Sequence, residues 1–435
     1  MKISDVSKEI VEIFQDTDKQ DSIKYLDTSS ITDNIINNFL EFDINIDELP
    51  SRAKKKVNHK DIIYSCVRPR NKHYGILSKP PSNLLVSTAF SVIRVDEKKA
   101  NPNYIYEYIT QKKFTDHFHN LGEDSQSSYP AINTDDIMSL NIELPSRSTQ
   151  DIIGNLSELI KNKIQINLNL NTQLNNFVKK LFYSWFINFE PVYSKLESKR
   201  LNFSPEGINL FSSKFVKTEL GDIPYGWEIS TLGKKIDVIS GYAFKSKDYK
   251  KDGIFVLRTK NFNDSLIQRL KDDVFLSEKF LDSHKKFICE EFDYHLIMVG
   301  ASVGNRAMIF PHSLPALRNQ NMWCFRPKKG TEISKFYNKF VVDFVTNKLQ
   351  GYATGSARDF FTKDDFREFK LVIPPRKILR LFSEITDPML EFISNNFYQI
   401  NLLSNLKDYY FPQLILGKMK IKDIKTILDK IENVN

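Results

Sequence analysis

The chain has 435 residues and a formal net charge of +8 at pH 7, with 41% hydrophobic and 27% charged residues. That length is too great for one ordinary hydrophobic core and fits two or three domains, and the excess of phenylalanine (33) over glycine (15) excludes a flexible low-complexity chain. The basic balance favours a polyanionic partner such as nucleic acid, because neutralising phosphates releases condensed counterions.

The cysteines and the N-terminal segment bear on the cellular compartment. Cys66, Cys289 and Cys324 lie far apart in sequence and form no CxxC or Cys/His cluster, which argues against a zinc site or a disulfide framework and favours a reducing cytosol. Residues 1–21 lack an apolar signal core, and no apolar run approaches the length of a membrane span. We therefore expect a soluble, cytoplasmic protein without a metal site.

Short strand-like runs dominate the first third of the chain. Residues 24–28, 61–65 and 90–95 are rich in β-branched and aromatic side chains, which is typical of strands. Further on, Asp135 and Asp136 open a turn, and apolar residues then alternate at positions 140, 142 and 144. This alternation predicts a half-buried strand that ends at a proline.

A long helical pattern follows from about residue 149 to residue 186. Neither glycine nor proline interrupts its central part, and Lys163 and Asn167 are polar interruptions of an apolar seam with heptad-like spacing. The predicted seam residues are Ile153, Leu156, Ile160, Leu170, Leu174, Phe177 and Leu181.

After a polar stretch with no clear period, the second half repeats this organisation. Strand-like runs occupy residues 238–244, 255–261, 295–300 and 322–327, and a second long helical pattern covers about 379–416. Pro388 is expected to kink that helix or to mark its true start. The predicted seam residues of this helix are Phe382, Ile385, Met389, Phe392, Leu403, Leu406 and Tyr410.

An internal duplication explains this order. Residues 135–147 and 364–376 share an acidic pair, an alternating apolar run, a proline and an arginine, at a constant offset of 229 positions. We therefore divide the chain into a first domain (1–147), a first spacer helix (148–187), a linker on the surface (188–219), a second domain (220–375) and a second spacer helix with a tail (376–435). The strand-rich parts keep their order but differ in side chains.

The two apolar helix seams need a partner, and the simplest partner for each is the other copy, in an antiparallel pair. The alternative is that each helix packs into its own globular domain. About 35 residues span roughly 50 Å as a helix, which is about the width of a small domain, and this length favours the pair. The predicted fold class is α+β, with two related domains of mixed and antiparallel strands separated by a coiled coil.

Catalytic motifs are missing from the sequence. Asn101-Pro102-Asn103-Tyr104 lacks the second proline of an amino-methyltransferase motif, and there is no glycine-rich cofactor loop and no phosphate-binding loop. His117 and His119 form an HxH pair, which fits an exposed helix face better than a metal site.

Several polar and basic residues are candidates for DNA contact, because arginine and asparagine pair bidentately with guanine and adenine edges and lysine neutralises phosphate. In the first domain the candidates are Lys54, Lys55, Lys56, Arg68, Arg70, Ser128 and Tyr129. In the second they are Tyr242, Arg258, Lys260, Asn261, Ser302, Arg306, Asn319, Gln320, Ser356 and Arg358.

Each group also has a structural interpretation. The basic runs can be solvated faces, the turn at Gly300–Gly304 can simply join two strands, and the polar cluster 318–321 can be an internally bonded strand edge. Arg306, just after the turn, is a better candidate for DNA contact than the turn itself.

The second half carries three distinctive segments, namely Leu-Gly-Asp-Ile-Pro-Tyr-Gly-Trp-Glu at 220–228, Leu-Gly at 232–233 and Ser-Gly-Tyr-Ala-Phe-Lys-Ser at 240–246. Supporting pieces are Gly-Ala-Ser-Val-Gly at 300–304, Arg-Asn-Gln-Asn at 318–321, Gly-Ser-Ala at 355–357 and Ile-Pro-Pro at 373–375. With these segments, the chain resembles the specificity subunits of Type I restriction-modification enzymes over nearly its whole length. The first half lacks the Gly-Asp-Ile-Pro-x-Gly-Trp start and the Gly-x-x-x-Gly turn, so the start of its domain is not fixed by sequence.

The resemblance implies a non-catalytic DNA-recognition subunit with two target-recognition domains, each reading half of a split, asymmetric DNA site. It implies modification subunits that carry an S-adenosylmethionine-dependent adenine methyltransferase, and restriction subunits that use ATP and Mg²⁺, while this chain itself holds no cofactor. The helices would act as spacer and docking surface. Two other functions stay open at this point: a stand-alone coiled-coil scaffold, and a recognition module acting in trans with another methyltransferase or nuclease.

Overall fold

The computed structural model describes residues 1–15, 18, 20–123, 131–197, 205–263, 265–353, 362–420 and 423. The chain divides into two compact units. Unit 1 comprises Met1–Asn167 and Gln399–Asn435, and unit 2 comprises Leu168–Tyr398. Among the described residues, no helix combines the length and the hydropathy that crossing a membrane requires.

Unit 1 contains two four-stranded sheets, with strand orders β1-β10-β7-β8 and β5-β2-β9-β6, and the short β3–β4 pair. Its strands are β1 Ser7–Glu9, β2 Ser22–Leu26, β3 Ile31–Thr32, β4 Ile35–Ile36, β5 Leu40–Asp43, β6 Ala53–Lys56, β7 Ile62–Ser65, β8 Tyr74–Ile76, β9 Leu84–Ser87 and β10 Phe90–Val95. Its helices are α1 Pro102–Ile109, α2 Lys112–Glu123, α3 Thr134–Met138, the first part of α4 Arg147–Phe182 and the last part of α11 Arg376–Ile415.

Unit 2 contains a six-stranded sheet of order β14-β22-β19-β20-β17-β16, a three-stranded sheet β18-β15-β21, and the pairs β11–β12 and β13–β23. Its helices are the second part of α4, α5 Glu190–Leu196, α6 Pro205–Asn209, α7 Leu232–Lys235, α8 Lys279–Ser283, α9 Lys335–Ala353, α10 Lys363–Arg367 and the first part of α11. Its strands are β11 Phe215–Thr218, β12 Gly221–Pro224, β13 Glu228–Thr231, β14 Ile236–Ser240, β15 Ile254–Leu257, β16 Phe262–Asn263, β17 Leu266–Ile267, β18 Phe275–Leu276, β19 Tyr294–Ile297, β20 Arg306–Met308, β21 Ala316–Arg318, β22 Met322–Pro327 and β23 Lys370–Ile373.

The two units share one topology. In unit 1, β10 lies between β1 and β7, and β2 pairs in parallel with β9. In unit 2, β22 lies between β14 and β19, and β15 pairs in parallel with β21. β2 therefore corresponds to β15, β7 to β19 and β10 to β22, which confirms that the strand-rich parts of the two halves keep their order.

A buried ion pair is duplicated together with the strands. The carboxylate of Asp61 accepts two hydrogen bonds from the Arg94 guanidinium, both of 2.7 Å, and that of Asp293 accepts two from Arg326, of 2.9 and 2.5 Å. In each unit a backbone N–H three residues earlier also donates to the carboxylate. Burial alone would raise the pKa of Asp293, but the hydrogen bonds from Arg326 and the neighbouring positive charges lower it overall.

The 229-residue offset also has a structural counterpart. α3 and α10 each begin with a capping box, formed by Asn133 with Asp136 and by Thr362 with Asp365. In the second copy the predicted strand is β23, which pairs with β13. In the first copy the prediction of a full strand is wrong, because only an isolated bridge joins Asn141 to Lys2.

The long helices pair within each unit, and their pairing is antiparallel. In unit 2, the Asn396 side chain donates a 2.7 Å hydrogen bond to Asn171, while the Phe382 ring lies 5.1 Å from that of Phe186. In unit 1, Asn167 donates a 3.1 Å hydrogen bond to Gln399. Residue numbers thus fall along α11 as they rise along α4. α11 begins at Arg376 and runs through residue 388, so the prediction that Pro388 marks its start is wrong.

The apolar seams differ in part from the sequence expectation. Phe177 is 50% exposed and Phe392 is 48% exposed, whereas their neighbours Val178 and Ile393 are buried; the placement of both phenylalanines in the seam is therefore corrected. Ile153, Ile160, Phe382 and Leu406 are buried as expected. The half-buried seam residues are Leu156, Leu170, Leu174, Leu181, Ile385, Met389, Leu403 and Tyr410.

The segment predicted to be a surface linker contributes to the core of unit 2. Val192 of α5 and Phe211 are buried, and the Phe211 ring lies edge-on to Trp185 with centroids 5.2 Å apart. Both belong to the large apolar cluster of the unit. The sequence pattern missed this because the buried side chains are too widely spaced to show a period.

Candidate nucleic-acid interface

The carboxyl ends of two parallel strands bring several candidate residues of unit 2 together. Leu257, the last residue of β15, is in register with Arg318, the last residue of β21. The backbone N–H of Asn319 donates to the carbonyl of Leu257 at 3.0 Å, and the N–H of Tyr242 donates to that of Arg318 at 3.1 Å. Tyr242, Arg258 and Asn319 therefore lie at one strand edge, as ligand-binding residues do at the ends of parallel strands.

A glycine permits this close approach. A Cβ added to Gly241 would lie 1.7 Å from the carbonyl oxygen of Asn319, so a side chain at this position would push the two segments apart. The edge that results is accessible, because Tyr242 is 39% exposed and Gln320 is exposed. This geometry suits side chains that reach a base edge, since polar groups stand at the end of a rigid strand pair.

Two cationic side chains flank this edge and share one acidic residue. Arg258 donates to the carbonyl of Asp272 at 3.0 Å, and the Lys260 ammonium lies 2.5 Å from the Asp272 carboxylate. A hydrogen bond from Lys260 lowers the pKa of Asp272. Because the Asp272 carboxylate is exposed, this pairing is weak enough to be exchanged for a phosphate.

Asn261 and Arg318 lie inside the protein. Asn261 is buried and donates to Asp273 at 2.7 Å and to the carbonyl of Gln268 at 3.1 Å. The oxygen of its side-chain amide accepts a hydrogen bond from the backbone N–H of Arg258, so this side chain fixes the loop that presents the Arg258 guanidinium. Its assignment as a DNA-contacting residue is corrected. Arg318 is fully buried, so the internally bonded interpretation holds for the first residue of the 318–321 cluster.

The Gly300–Gly304 turn joins β19 to β20 and exposes Ser302. Both glycines have positive φ, of 89° and 87°, a conformation that other residues adopt with strain. Arg306, just after the turn, donates to Asn347 at 3.0 Å and forms an ion pair with Asp343 at 3.3 Å. It lines a polar cavity of about 430 Å³ that is also bounded by α4 and α9.

The basic candidates of unit 1 have unequal surroundings. Lys54 is exposed on β6. Lys55 donates to the carbonyl of Phe90 at 2.7 Å, and Lys56 pairs with Asp18 at 2.6 Å. Arg70 is exposed and pairs with Asp116 at 3.3 Å, and Arg68 is exposed with a φ of 50°. Ser128, Tyr129, Ser356 and Arg358 lie outside the described residues.

Unit 1 carries a concavity at the strand edge that corresponds to the one described for unit 2. Tyr25 and Asp27, at the carboxyl end of β2, line it together with Ser29 and Arg52. Asp27 accepts hydrogen bonds from the backbone and the hydroxyl of Ser29. Tyr25, Asp27 and Ser29 were not among the sequence candidates. The signal that would have found them is the duplication itself, because they follow the strand that matches β15.

One group of possible metal ligands occurs among the described residues, namely Asp293, His295 and Cys324. All three are buried, and Asp293 is already paired with Arg326. Burial raises the pKa of Cys324 well above its ordinary value, whereas metal binding requires a thiolate. Because unit 1 repeats the ion pair without the histidine or the cysteine, these residues fit a packed network better than a metal centre.

Comparison with known proteins identifies the class of domain. Residues 224–401 match the family described as "Type I restriction modification DNA specificity domain". The chain is 23% identical to the Type I restriction enzyme HindI specificity subunit of Haemophilus influenzae, with 96% of this chain and 98% of that protein covered. It is 22% identical to the MjaIX specificity subunit of Methanocaldococcus jannaschii, with 74% and 70% covered.

A solved structure shares the fold. The S subunit of a Type I restriction-modification system from M. genitalium matches with a TM-score of 0.56 at 13% identity, over 95% of each chain. Two related units, a shared topology and paired long helices agree with that likeness. Residues 224–401 therefore match a Type I restriction-modification DNA specificity domain, and the chain is similar over nearly its whole length to specificity subunits of Type I restriction enzymes.

Proposed function

We propose that the chain reads a bipartite, asymmetric site in duplex DNA, with unit 1 contacting one half-site and unit 2 the other. The observation that carries this proposal is the repeated strand edge. Both units place the ends of two parallel strands in the same position, but Asp27 follows the first of these strands in unit 1 where Arg258 follows it in unit 2. Equal scaffolds with unequal polar side chains favour different base sequences.

The long helices are proposed to set the gap between the half-sites. At 1.5 Å per residue, the 36 residues of α4 and the 40 residues of α11 extend over about 54 and 60 Å. One turn of duplex DNA covers about 34–36 Å, so helices of this length suit two readers that engage the same face of the duplex.

Modification subunits are the proposed partners of the helix surface. Ile152, Leu159 and Ile166 follow one another at seven-residue spacing along α4 and are 45%, 67% and 59% exposed. Large apolar side chains exposed in a row are typical of a protein interface. In the proposed complex, S-adenosylmethionine serves the modification subunits, ATP and Mg²⁺ serve the restriction subunits, and the assembly works on DNA in the cytoplasm.

A binding experiment tests this function. We expect the purified chain, alone or with its modification subunits, to bind duplex DNA with an affinity that falls steeply with salt, because phosphate contacts release counterions. The purified chain alone should not methylate DNA. Methylation without a partner would refute the assignment to a recognition subunit, and a lack of DNA binding in both forms would favour a coiled-coil scaffold.

Arg306 provides a test that is specific for one half-site. If Arg306 contacts a base, Arg306→Ala should weaken recognition of the half-site read by unit 2 by about 1–3 kcal/mol and leave the other half-site unchanged. An equal loss at both half-sites, or a loss that merely follows lower stability of unit 2, would assign Arg306 to its ion pair with Asp343 instead.

A further inference from the structure

Two surface segments of unit 2, residues 241–252 and 278–286, are rich in lysine. Their seven lysines are exposed, and none forms an ion pair within the part of the chain that the structure describes. The seven are Lys245, Lys247, Lys250, Lys251, Lys279, Lys285 and Lys286. The same segments hold four acidic residues, so positive charge is in excess. We call these seven residues the lysine surface.

Aromatic side chains hold the two segments together. The ring of Tyr242 lies 4.6 Å from that of His284 and 5.0 Å from that of Phe287, and Phe244 contacts Phe280 with centroids 5.9 Å apart. Phe244 and Phe280 belong to one small apolar cluster. The lysines of both segments therefore surround one packed aromatic cluster and are not carried by independent loops.

The buried Arg318 joins the lysine surface to the strand edge described above. Its guanidinium donates to the carbonyl of Ser240 at 3.2 Å and to that of Lys286 at 2.7 Å, which ties the chain before the first segment to the end of the second. Asn319 follows Arg318 directly at the end of β21. The sugar–phosphate backbone of a DNA strand that contacted the lysine surface would thus lie beside the candidate base-reading residues.

Unit 1 does not repeat this charge pattern. Residues 241–252 contain four lysines and two acidic residues. Residues 9–20, which correspond to them by the 232-residue offset that separates Asp61 from Asp293 and Arg94 from Arg326, contain one lysine and four acidic residues. The lysine surface is therefore not a property of the shared scaffold. It is an addition to unit 2, placed next to an edge that both units have.

We propose that the lysine surface binds the sugar–phosphate backbone of duplex DNA beside the half-site read by unit 2, and that it supplies a major part of the affinity that does not depend on sequence. This inference rests on the proposed function. Exposed ammonium groups without protein partners can exchange small counterions for phosphates, and contacts of this kind position a protein on DNA without reading bases.

The experiment uses the full-length chain and two charge-matched variants. The first carries Lys→Gln at 245, 247, 250 and 251. The control carries Lys→Gln at 214, 217, 234 and 329, four exposed lysines of unit 2 outside the lysine surface. Fluorescence anisotropy gives the affinity for a labelled duplex with the recognised site and for one without it, between 50 and 200 mM salt.

For the first variant we expect the slope of log affinity against log salt to become shallower by up to about 3.6, because each lysine that neutralises a phosphate adds about 0.9 to the slope. The decrease in affinity should be equal on both duplexes, so that the preference for the recognised site is kept. The control should match the wild-type slope within about 1, which is the effect of a single phosphate. Circular dichroism checks that both variants are folded.

Other outcomes overturn the inference in distinguishable ways. If the wild-type chain binds DNA with a steep slope and the first variant does the same, the lysine surface does not bind phosphate, and the proposed function stands. If the first variant binds DNA normally but no longer binds a modification subunit, the surface faces that protein. If the wild-type chain binds no duplex, alone or with modification subunits, the inference and the proposed function both fail.

Discussion

Acidification should destabilise unit 2 through one buried histidine. His295 is fully buried in β19, its Nδ1 has no hydrogen-bond partner among the described residues, and its Nε2 lies 3.8 Å from the sulfur of Cys289. Burial lowers the pKa of His295 to about 3; Asp293 opposes this shift, and Arg318 and Arg326 add to it. The folded protein therefore holds this imidazole neutral at a pH where the unfolded chain is protonated.

The direction and the size of the effect follow from linkage. Because the folded pKa lies below the unfolded value, the unfolded chain takes up a proton as the pH falls through about 6.5, and the folded chain does not until about pH 3. The contribution of His295 to stability is thus fully present above pH 7 and is lost as the pH falls from about 6.5 to about 3. Between pH 7.5 and pH 5 the loss from this residue is about 2 kcal/mol, and below pH 3 it reaches about 5 kcal/mol.

The test compares the wild-type protein with His295→Ile. Isoleucine is chosen because Ile63 occupies the corresponding position in unit 1 and is buried there. All three tryptophans of the chain lie in unit 2, so urea unfolding followed by tryptophan fluorescence reports on that unit. The wild-type protein should lose about 2 kcal/mol more than the variant between pH 7.5 and pH 5. Equal losses in the two proteins would show that His295 is not held neutral.

Three further predictions concern the helices and the duplicated ion pair. Val178→Ala should lower the free energy of unfolding of unit 2 by about 2 kcal/mol, because Val178 is buried. Phe177→Ala should lower it by less than about 0.5 kcal/mol, because Phe177 is half exposed. If urea unfolding gave similar losses for both variants, the corrected seam would be contradicted. Asp61→Asn should lower the free energy of unfolding by about 2–3 kcal/mol, since it leaves the Arg94 guanidinium without its buried partner. A decrease below about 0.5 kcal/mol, measured by circular dichroism, would show that the ion pair does not stabilise the fold. Deleting residues 164–170 and 397–403, one heptad from each paired helix, should shorten the gap in the methylated site by about three base pairs, or 10.5 Å. Mapping of methylated bases in a host with the partner subunits checks this, and an unchanged gap would refute the spacer.

Much of the fold could be predicted from the sequence because its signals are local. The 229-residue offset predicted the duplication, and the alternation of apolar residues predicted β23. The length of the two helices followed from their periodic patterns, and the matching order of strand-like runs predicted which strands correspond. Each of these features depends on residues close together in the chain, where side-chain periodicity reflects the backbone directly.

The assignment of individual site residues could not be predicted as well. Arg258 and Asn261 stand three positions apart after one strand and carry equally polar side chains, yet Asn261 is buried in a hydrogen-bonded loop while Arg258 reaches the surface. Likewise, Phe177 and Val178 both continue an apolar pattern, and only the packing of α4 against its neighbours decides which is buried. Contacts that decide burial come from distant parts of the chain.

The sequence by itself determined that the chain is a duplicated α+β protein with two long helices and the motifs of a DNA-specificity subunit, because repeats and periodicity are visible without knowing any distant contact. Only the tertiary structure decided which polar groups face outward. It buried Arg318 so that this residue braces two lysine-rich segments, and it placed Tyr242 and Asn319 at one strand edge. The physical reason is that a polar side chain can be satisfied by protein or by a ligand, and the choice depends on the groups that folding brings beside it.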